Sequence, residues 1–487
     1  MSDYDLMVIG AGAAGLAAAR AGVRAGRRVA LVERELPGGE CTFYGCVPSK
    51  TLLAGAGRTA VTRHGQPVPD AARLAADFTA VMTSVRDVIA EIGAEESAPA
   101  LKAAGIEVLT GEACFLGPNT VAVDGRPVTA QRVILATGAQ ALVPAIPGLA
   151  DTPYLDNRSV FALAELPARL IVLGGGAIGC ELAQAFRRLG SKVTLIESAE
   201  RLLGVEEPEA SRVVADAFTK EGIDLRTGSA ADRITHTADG VSVTLADGTS
   251  VTGSHLLIGL GRQVVTDGLD LATAGVTVDD RGSIITDSYL RTAAPTVYAA
   301  GDCTARLQFT HVADEQGRLA AANAFNGPLR GRLLPGIAGG RQAWSDRVVP
   351  WVTYTDPEVG RVGLSEAQAY AAYGERARVS VVHMSAMDRP RCAGEPAGFV
   401  KLVAAPGRVL RGTPFLKLVG MTAVCTQGGE LIGEGALAMR AGMLLARLAQ
   451  TIHAYPTWSI PTRFAAASFF GDFDGLTARP AQPDPTQ

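Results

Sequence analysis

The stretch YDLMVIGAGAAGLAAARAG (residues 4–22) decides the fold of this chain. Its apolar start predicts a buried strand and its alanine-rich second half predicts a helix, with a tight turn between them marked by Gly10, Gly12 and Gly15. A second strand, VALVE, follows and ends at Glu33. A strand, a glycine-rich turn, a helix and a strand that ends in an acid are typical of a dinucleotide-binding βαβ unit.

The same pattern occurs a second time. From Leu170, LIVLGGGAIGCELAQAF supplies Gly174, Gly176 and Gly179, and the strand VTLIE ends at Glu197. These four positions follow their counterparts in the first copy by one constant number of residues. Because a single glycine pattern arises easily by chance and two with matched spacing do not, the sequence predicts two dinucleotide sites.

Each glycine has a separate physical task in such a unit. The first permits the tight turn, the second lets backbone N–H groups reach the pyrophosphate, and the third lets the helix pack closely on the strand. The helix N-terminus adds a partial positive charge. The acid accepts hydrogen bonds from a ribose diol and repels a 2′-phosphate, so Glu197 favours NADH over NADPH.

Composition limits the class of protein. The 487 residues are enough for two to four domains, and 47% hydrophobic and 19% charged residues with 56 glycines are typical of a globular protein rich in tight turns. The formal net charge is −4 and no block of like charge occurs. The sequence therefore predicts small-molecule partners and neither a nucleic-acid nor a membrane partner.

Location and redox state follow from other features. Asp3 and Asp5 precede the apolar start, where a secretory signal requires positive charge, and no stretch reaches the roughly 18 apolar residues of a membrane span. We therefore expect a cytoplasmic protein. Seven scattered cysteines in a reducing compartment argue against a structural disulfide framework, so any disulfide is expected to be redox-active.

The segment GGECTFYGCVPSK (residues 38–50) carries a pair of cysteines, Cys41 and Cys46. No second pair with metal-ligand spacing accompanies it, so we expect no zinc site. Reactive cysteines require an electropositive setting, and the flanking glycines and the Pro-Ser-Lys sequence suit one. The remaining cysteines are expected to pack in the core; they are Cys114, Cys180, Cys303, Cys392 and Cys425.

The order of the motifs carries a family resemblance. GxGxxG, CxxxxCxPSK, the ATG of RVILATGA (132–139), a second GxGxxG, the GD of VYAAGDCT (297–304) and a C-terminal YPT follow one another. The chain resembles the class I pyridine nucleotide–disulfide oxidoreductases, which include lipoamide dehydrogenase, glutathione reductase and mercuric reductase. The resemblance extends from about Asp5 to about Phe470.

The resemblance implies an α/β fold with two Rossmann-like dinucleotide-binding domains and a C-terminal α+β interface domain. It assigns residues 1–150 and 275–345 to an FAD-binding domain, 151–274 to an NAD(P)H-binding domain and 346–487 to dimerisation. It also implies a homodimer in which the C-terminal segment of one subunit completes the active site of the other. The strand-like stretch 409–425 is expected at the dimer interface.

By the same resemblance, Cys41 is the thiol that meets the substrate and Cys46 is the thiol that lies against the flavin. Lys50 and Glu181 form an ion pair beside the flavin, where the lysine stabilises negative charge on the reduced ring. The implied FAD contacts are Gly10, Gly12, Ala14, Gly15, Glu33, Lys50, Ala113, Thr137, Gly138, Asp302 and the backbone of His311. The implied NAD(P)H contacts are Gly174, Gly176, Gly179, Glu197 and Gly261.

The C-terminal stretch TIHAYPTWSI departs from the family. Disulfide reductases of this family carry a histidine before Pro-Thr and a glutamate five positions later, which move a proton to and from the leaving thiol. Here Tyr455 and Ile460 occupy these positions, and His453 lies two residues early. Tyrosine is a poor base and a good hydrogen-bond donor at neutral pH. Mercuric reductase is similar in this respect, yet no cysteine follows Cys425 to deliver a metal.

These features support one leading hypothesis and two alternatives. In the first, electrons pass from NAD(P)H through FAD to Cys46 and Cys41, and on to a disulfide or a soft metal held by thiolates. In the second, the flavin reduces quinones or other diffusible acceptors directly, since Ala177 stands where many relatives place a tyrosine over the flavin. In the third, the chain is a redox-sensing flavoprotein with low turnover; a second dinucleotide site argues against it.

Overall fold

A computed structural model describes residues 2–63, 70–238, 240–326, 340–407 and 415–483. The strands, numbered in chain order, are β1 (Tyr4–Ile9), β2 (Val29–Glu33), β3 (Ile106–Thr110), β4 (Ala113–Gly117), β5 (Thr120–Val123), β6 (Arg126–Leu135), β7 (Ala139–Ala141), β8 (Arg169–Leu173), β9 (Lys192–Ile196), β10 (Asp224–Arg226), β11 (Ala231–Thr237), β12 (Gly240–Leu245), β13 (Ser250–Gly253), β14 (His255–Ile258), β15 (Arg262–Val264), β16 (Val297–Ala299), β17 (Pro350–Thr353), β18 (Glu358–Gly363), β19 (Arg378–His383), β20 (Phe399–Pro406), β21 (Leu416–Cys425) and β22 (Arg479–Pro480).

The helices are numbered in the same way. They are α1 (Ala13–Arg24), α2 (Gly39–Tyr44), α3 (Cys46–Arg63), α4 (Ala71–Glu95), α5 (Ala98–Ala103), α6 (Ala177–Leu189), α7 (Pro208–Glu221), α8 (Thr310–Phe325), α9 (Glu366–Tyr373), α10 (Asp388–Ala393), α11 (Gly428–Arg440), α12 (Leu445–Gln450) and α13 (Ile460–Ala467). None of the helices within these described ranges is long and apolar enough to span a bilayer.

The first glycine-rich unit forms the centre of a large sheet. Strands β3, β2, β1 and β6 lie side by side in parallel, and β16 pairs with the last residues of β6. The sheet continues from β6 into the antiparallel strands β5 and β4. The strands predicted from Tyr4 and from Val29 are thereby confirmed, and the stretches RVILATGA and VYAAGDCT contain the end of β6 and the whole of β16.

The second glycine-rich unit forms a sheet of its own. Strands β10, β9, β8 and β14 run parallel, and α6 connects β8 to β9. An antiparallel meander of β11, β12 and β13 is attached to this unit. Two parallel sheets, each with a glycine turn at the end of its first strand, confirm the predicted pair of βαβ units.

The C-terminal residues form an antiparallel sheet in the order β17, β18, β21, β20, β19, β22. Its strand β21 lies between β18 and β20 and is buried along almost its whole length. The prediction that this stretch lies at a dimer interface is therefore wrong for Leu416–Cys425. Residues 408–414 lie outside the described part of the chain.

One hydrophobic core joins the helices that carry the reactive residues. Leu52 of α3, Phe78 of α4 and Phe186 of α6 are each 1% exposed or less and belong to one cluster. Since α3 begins at Cys46 and α6 begins after the second glycine turn, burial of these side chains sets the thiol beside the second dinucleotide motif.

The cysteines outside the pair have mixed environments. Cys180, Cys303 and Cys425 are buried and Cys114 is partly buried. Cys392 is exposed on the short helix α10, so the expectation that it packs in the core is wrong. The predicted domain boundaries stay a prediction.

Candidate active site

The first glycine of each motif lies where no side chain fits. Gly10 has φ +98°, and a Cβ there would come 2.3 Å from the Ala136 carbonyl oxygen. Gly174 has φ +107°, and a Cβ there would come 2.4 Å from the Gly259 carbonyl oxygen. In both copies the turn therefore presses against the end of the neighbouring strand, which aligns the following helix with the cavity in front of it.

The second and third glycines serve different purposes. A Cβ on Gly15 would come 1.8 Å from the Gly10 carbonyl oxygen, and one on Gly179 would come 1.9 Å from that of Gly174. A Cβ on Gly12 would meet its nearest atom at 4.0 Å and one on Gly176 would meet none within that distance. The third glycine thus permits helix packing, whereas the second leaves an open cradle for a phosphate.

The two acids are held in matching ways. Glu33 accepts a hydrogen bond from the Ala11 N–H at 2.7 Å, and Glu197 accepts one from the Gly175 N–H at 2.6 Å. The second carboxylate oxygen of each accepts from the backbone N–H two residues further on, at 2.9 and 2.8 Å. Both carboxylates are thus fixed at a strand end, where a ribose diol is recognised.

A single cavity of about 1690 Å³ contains both motifs and the cysteine pair. Most of the residues named from the sequence line it, namely Gly10, Gly12, Ala14, Glu33, Cys41, Cys46, Lys50, Ala113, Thr137, Gly138, Gly174, Gly176, Glu181, Glu197, Gly261, Asp302 and His311. Gly15 and Gly179 lie behind the turns, and Tyr455 does not line this cavity.

The polar groups of the cavity fit a flavin dinucleotide. The Thr137 hydroxyl oxygen is buried and has no hydrogen-bond partner among the described residues. Asp302 lies 3.3 Å from the Arg262 guanidinium, and burial, partly opposed by that arginine, raises the pKa of the Asp302 carboxyl. An unpaired buried hydroxyl and a carboxyl at the end of β16 suit a polar ligand, because buried polar groups are rarely left unsatisfied.

Cys41 and Cys46 lie on two consecutive helices at the cavity wall. Cys41 is in α2 and Cys46 is the first residue of α3, so its sulfur lies at the N-terminus of that helix. The Thr310 hydroxyl, at the start of α8, lies 3.2 Å from the Cys46 sulfur. Two helix N-termini therefore converge on this sulfur, and each favours the thiolate.

The two thiols of the pair differ in acidity. Hydrogen bonding from Cys41, together with the Thr310 hydroxyl and the Lys50 ammonium, lowers the pKa of Cys46 to about 6 although burial opposes it. The hydrogen bond with Cys46 and burial raise the pKa of Cys41. At neutral pH Cys46 is therefore the thiolate and Cys41 keeps its proton.

The predicted ion pair is present. Lys50 Nζ lies 2.8 Å from Glu181 Oε2, and the Glu181 side chain is 5% exposed. The other oxygen of Glu181 accepts a hydrogen bond from the Tyr354 N–H at 2.9 Å, and the Lys50 ammonium lies 4.5 Å above the Tyr354 ring. These contacts place the Lys50 charge between the two dinucleotide motifs.

The C-terminal segment departs from the histidine–glutamate arrangement, as the sequence indicates. The Tyr455 phenol is exposed and donates a hydrogen bond to Asp388 at 2.7 Å, and this bond raises the pKa of Tyr455. His453 pairs with Glu434 of α11 at 3.0 Å, and its side chain is 6% exposed. The His453 imidazole therefore points into its own chain, whereas the Tyr455 phenol is exposed to solvent.

Several side chains of the cavity were not singled out from the sequence, and three of them bear on the thiols, the ion pair or the cavity wall. They are Thr310, Tyr354 and Trp351. Thr310 and Tyr354 contact Cys46 and Lys50 respectively. One clue to Thr310 was present in the sequence: it directly precedes His311, which the family resemblance assigns to the FAD site.

Two glycine turns of dinucleotide-binding form and a thiol pair in one cavity are the features of a redox enzyme with two cofactors. Residues 4–317 match the family model described as pyridine nucleotide-disulphide oxidoreductase, and residues 349–463 match the dimerisation domain of the same family. The chain belongs to the pyridine nucleotide-disulphide oxidoreductase family, and is an FAD- and NAD(P)H-dependent oxidoreductase.

Similar proteins cover nearly the whole chain. A mercuric reductase of Bacillus cereus is 36% identical over 480 residues, which are 98% of this chain and 73% of that protein. A dihydrolipoyl dehydrogenase of Thermus scotoductus is 35% identical over 471 residues, 94% of this chain and 96% of that protein. The HOCl-induced flavoprotein disulfide reductase RclA of Escherichia coli, solved as a Cu(II) complex, has a TM-score of 0.82 at 29% identity, covering 96% of this chain and 99% of that one.

These findings confirm the α/β fold, the family and the enzyme class expected from the sequence. The match to the dimerisation domain supports a homodimer.

Proposed function

We propose that this enzyme reduces a soft metal ion held by thiolates, with NADH as electron donor and with Cys41 and Cys46 as the protein groups that receive the metal. NADH and a divalent metal ion then give NAD⁺, a proton and the metal reduced by two electrons. The observation that carries this proposal is the state of Tyr455, whose phenol is a hydrogen-bond donor to Asp388 where a disulfide reductase needs a base.

The chemistry of the acceptor follows from proton balance. A disulfide that is reduced must release a thiol, so a group near pH 7 has to supply a proton and later recover one. A phenol with a raised pKa is a weak acid and no base at that pH. A metal ion leaves its thiolates without a proton, so its transfer to Cys41 and Cys46 needs no imidazole.

The chain's residues have separate tasks in this scheme. FAD, when bound, supplies the ring that accepts hydride from the nicotinamide and returns two electrons to the thiol site. Cys46 provides a thiolate at neutral pH, and Cys41 provides the second sulfur and passes its proton to a small-thiol thiolate that leaves the metal. Lys50 offers a fixed positive charge in the cavity, held by Glu181.

NADH is the proposed donor because of Glu197. Its carboxylate is fixed by the Gly175 and Ala199 N–H groups, at the strand end that faces the ribose. A 2′-phosphate at this position meets a negative charge, so kcat/KM for NADH should exceed that for NADPH by about tenfold or more. Steady-state kinetics with both nucleotides measure this ratio, and an equal or reversed ratio contradicts the assignment.

Tyr455 is proposed to act on the neighbouring subunit. Its phenol is exposed on the C-terminal unit and lies away from the cavity of its own chain. A dimer through this unit brings the phenol near the partner's thiols, where its one hydroxyl proton turns from Asp388 to a metal-bound thiolate. Tyr455→Phe should then slow metal reduction about tenfold, the loss of one hydrogen bond, with NADH binding unchanged.

The test is NADH oxidation with a panel of acceptors, namely mercuric ion in excess small thiol, lipoamide, glutathione disulfide and a quinone. Wild type and Cys41→Ser are compared in parallel. We expect mercuric ion to be the fastest acceptor in wild type and its turnover to fall at least a hundredfold in Cys41→Ser. Lipoamide as the fastest acceptor contradicts the proposal.

Ala177 supports a second candidate, direct reduction of a diffusible quinone. It is the first residue of α6 and lines the cavity, so its methyl group leaves room for a planar acceptor above the second glycine turn. This route bypasses the thiols. Quinone turnover should therefore survive in Cys41→Ser and fall severalfold in Ala177→Tyr, and the opposite pattern excludes it.

A further inference from the structure

Three aromatic rings stack along one wall of the cavity. The rings of His311 and Phe309 lie 5.6 Å apart at 8°, and those of Phe309 and Trp351 lie 5.8 Å apart at 10°. All three side chains line the cavity. His311 and Phe309 flank the start of α8, whereas Trp351 belongs to β17 of the C-terminal sheet, so the stack joins two distant parts of the chain.

The far end of this stack is held by buried charges. The Trp351 indole N–H donates to Glu206 at 2.6 Å, and the Arg361 guanidinium lies 4.6 Å above the indole ring. Glu206 is 4% exposed and Arg361 is 3% exposed. Turning the indole away would leave Oε1 of this buried carboxylate without its hydrogen bond, while Oε2 keeps Arg361, and an unpaired buried oxygen is costly. The ring is therefore fixed in place.

The near end of the stack reaches the reactive sulfur. Phe309 and His311 lie on either side of Thr310, and the Thr310 hydroxyl lies 3.2 Å from the Cys46 sulfur. These two neighbours stack on each other, and Phe309 also stacks on Trp351, so both restrict the backbone of Thr310. The stack therefore keeps the first turn of α8 from fraying, and the Thr310 hydroxyl stays directed toward Cys46.

We propose that Trp351 is a positioning residue for Cys46, which fixes the first turn of α8 and so holds the Thr310 hydroxyl against the sulfur. This inference rests on the proposed role of Cys46 as a thiolate. Because Glu206 lies two residues before the helix α7 of the second dinucleotide unit, the same contacts tie that unit to the thiol.

The consequence is a change in the acidity of Cys46. Replacing Trp351 by leucine removes the stacked ring and the Glu206 contact, so the first turn of α8 loosens and the thiolate loses a donor. The midpoint of Cys46 ionisation should rise by about one pH unit, as expected for one hydrogen bond to a charged group. In the wild-type chain the groups that face Cys46 are Cys41, Lys50, Glu181, Tyr354 and Thr310. The variants described next change Cys41, Thr310 or both and keep the other three.

The experiment is a difference titration of the flavin-loaded enzyme. Ultraviolet thiolate absorbance is followed against pH in Cys41→Ser, and the same curve for Cys41→Ser/Cys46→Ser is subtracted to isolate Cys46. Trp351→Leu, Thr310→Val and the two together are added to this background. Trp351→Phe, which keeps a ring and loses the Glu206 bond, replaces the leucine variant if that one does not fold. Trp344→Leu, a tryptophan outside the cavity, is the control.

The expected result has three parts. Trp351→Leu and Thr310→Val each raise the midpoint, their combination raises it no further, and Trp344→Leu leaves it unchanged. The inference is overturned if the midpoint of Cys46 ionisation is unchanged in Trp351→Leu or if the two shifts add in the double variant. A fall in the unfolding temperature does not alter this conclusion. Mercuric-ion turnover that survives unchanged in Cys46→Ser overturns instead the proposed role of Cys46, and the inference with it.

Discussion

The charge on one sulfur depends on residues from three helices. Cys46 begins α3, Glu181 lies in α6 and Thr310 begins α8. The Lys50 ammonium lowers the pKa of Cys46 and the Glu181 carboxylate raises it, although the two form an ion pair. Since these effects have opposite signs, the net effect of the ion pair on the pKa of Cys46 is the difference between the two.

Opposite responses to two substitutions are therefore expected. Lys50→Met removes the stabilising charge, so the Cys46 midpoint should rise from about 6 and the thiolate should be lost at a higher pH. Glu181→Gln removes the opposing charge and keeps an oxygen for the Tyr354 N–H, so the midpoint should fall. The same ultraviolet difference titration measures both, and shifts of one sign in the two variants would contradict the account.

The sequence predicted the reactive pair and its ion pair, because these residues lie within motifs. It did not predict the Thr310 contact, since Thr310 and Cys46 are 264 residues apart and a contact of that kind arises only when α8 packs beside α3. The Asp388 contact of Tyr455 was missed for the same reason.

At the scale of the elements, the two glycine turns are the strongest example of local determination. Spacing alone predicted the strands, the turns and the acids, because the first and third glycines of each motif leave no room for a Cβ beside a backbone atom of the same unit or of the adjoining strand. The exposure of Cys392 and the interior position of β21 were not predictable in this way, since they depend on which strands become neighbours.

Two alanine substitutions in the second turn should separate packing from binding. Gly179→Ala places a Cβ 1.9 Å from the Gly174 carbonyl oxygen, so the free energy of unfolding should fall by about 1–3 kcal/mol or more. Gly176→Ala meets no atom within 4 Å, so stability should stay within about 0.5 kcal/mol while the KM for NADH rises about tenfold.

Denaturant unfolding and steady-state kinetics on the two variants provide the check. Equal losses of stability would mean that the second glycine also serves packing. An unchanged KM in Gly176→Ala would mean that the nucleotide does not approach this turn.

At the scale of the whole molecule, a buried lysine joins the second dinucleotide unit to the C-terminal sheet. Lys401 of β20 is 1% exposed and lies 2.8 to 3.2 Å from three carboxylates, those of Glu207, Glu209 and Glu366. Burial lowers the pKa of Lys401, but the carboxylates outweigh it and raise that pKa overall. A lysine within the apolar strand FVKLVAAP gave no sequence signal of this role.

Lys401→Met should destabilise the protein by about 3–5 kcal/mol, because it leaves the buried carboxylate of Glu207 without a counter-charge. Lys192→Met, an exposed lysine on β9, serves as the matched control and should change little. Chemical unfolding at pH 7 measures both. A loss below about 1 kcal/mol in Lys401→Met would contradict a stabilising role for the cluster.

The same cluster predicts a response to acid. The pKa of Glu366 is lowered in the folded protein, since its bonds to Arg479 and Lys401 outweigh burial. Its contribution to stability is present above the ordinary pKa of a glutamate and is lost as the pH falls through the lowered value. The free energy of unfolding should therefore fall more steeply on acidification in wild type than in Lys401→Met. Chemical unfolding at a series of pH values measures both slopes.

In the proposed mechanism, electrons from NADH reach the Cys41–Cys46 pair. The most direct measurement is a count of titratable thiols in the air-oxidised, flavin-loaded enzyme, unfolded before or after anaerobic addition of NADH. Wild type should gain two thiols on addition of NADH, and Cys41→Ser should gain none. Complete consumption of NADH by wild type with no gain in thiols would contradict the account.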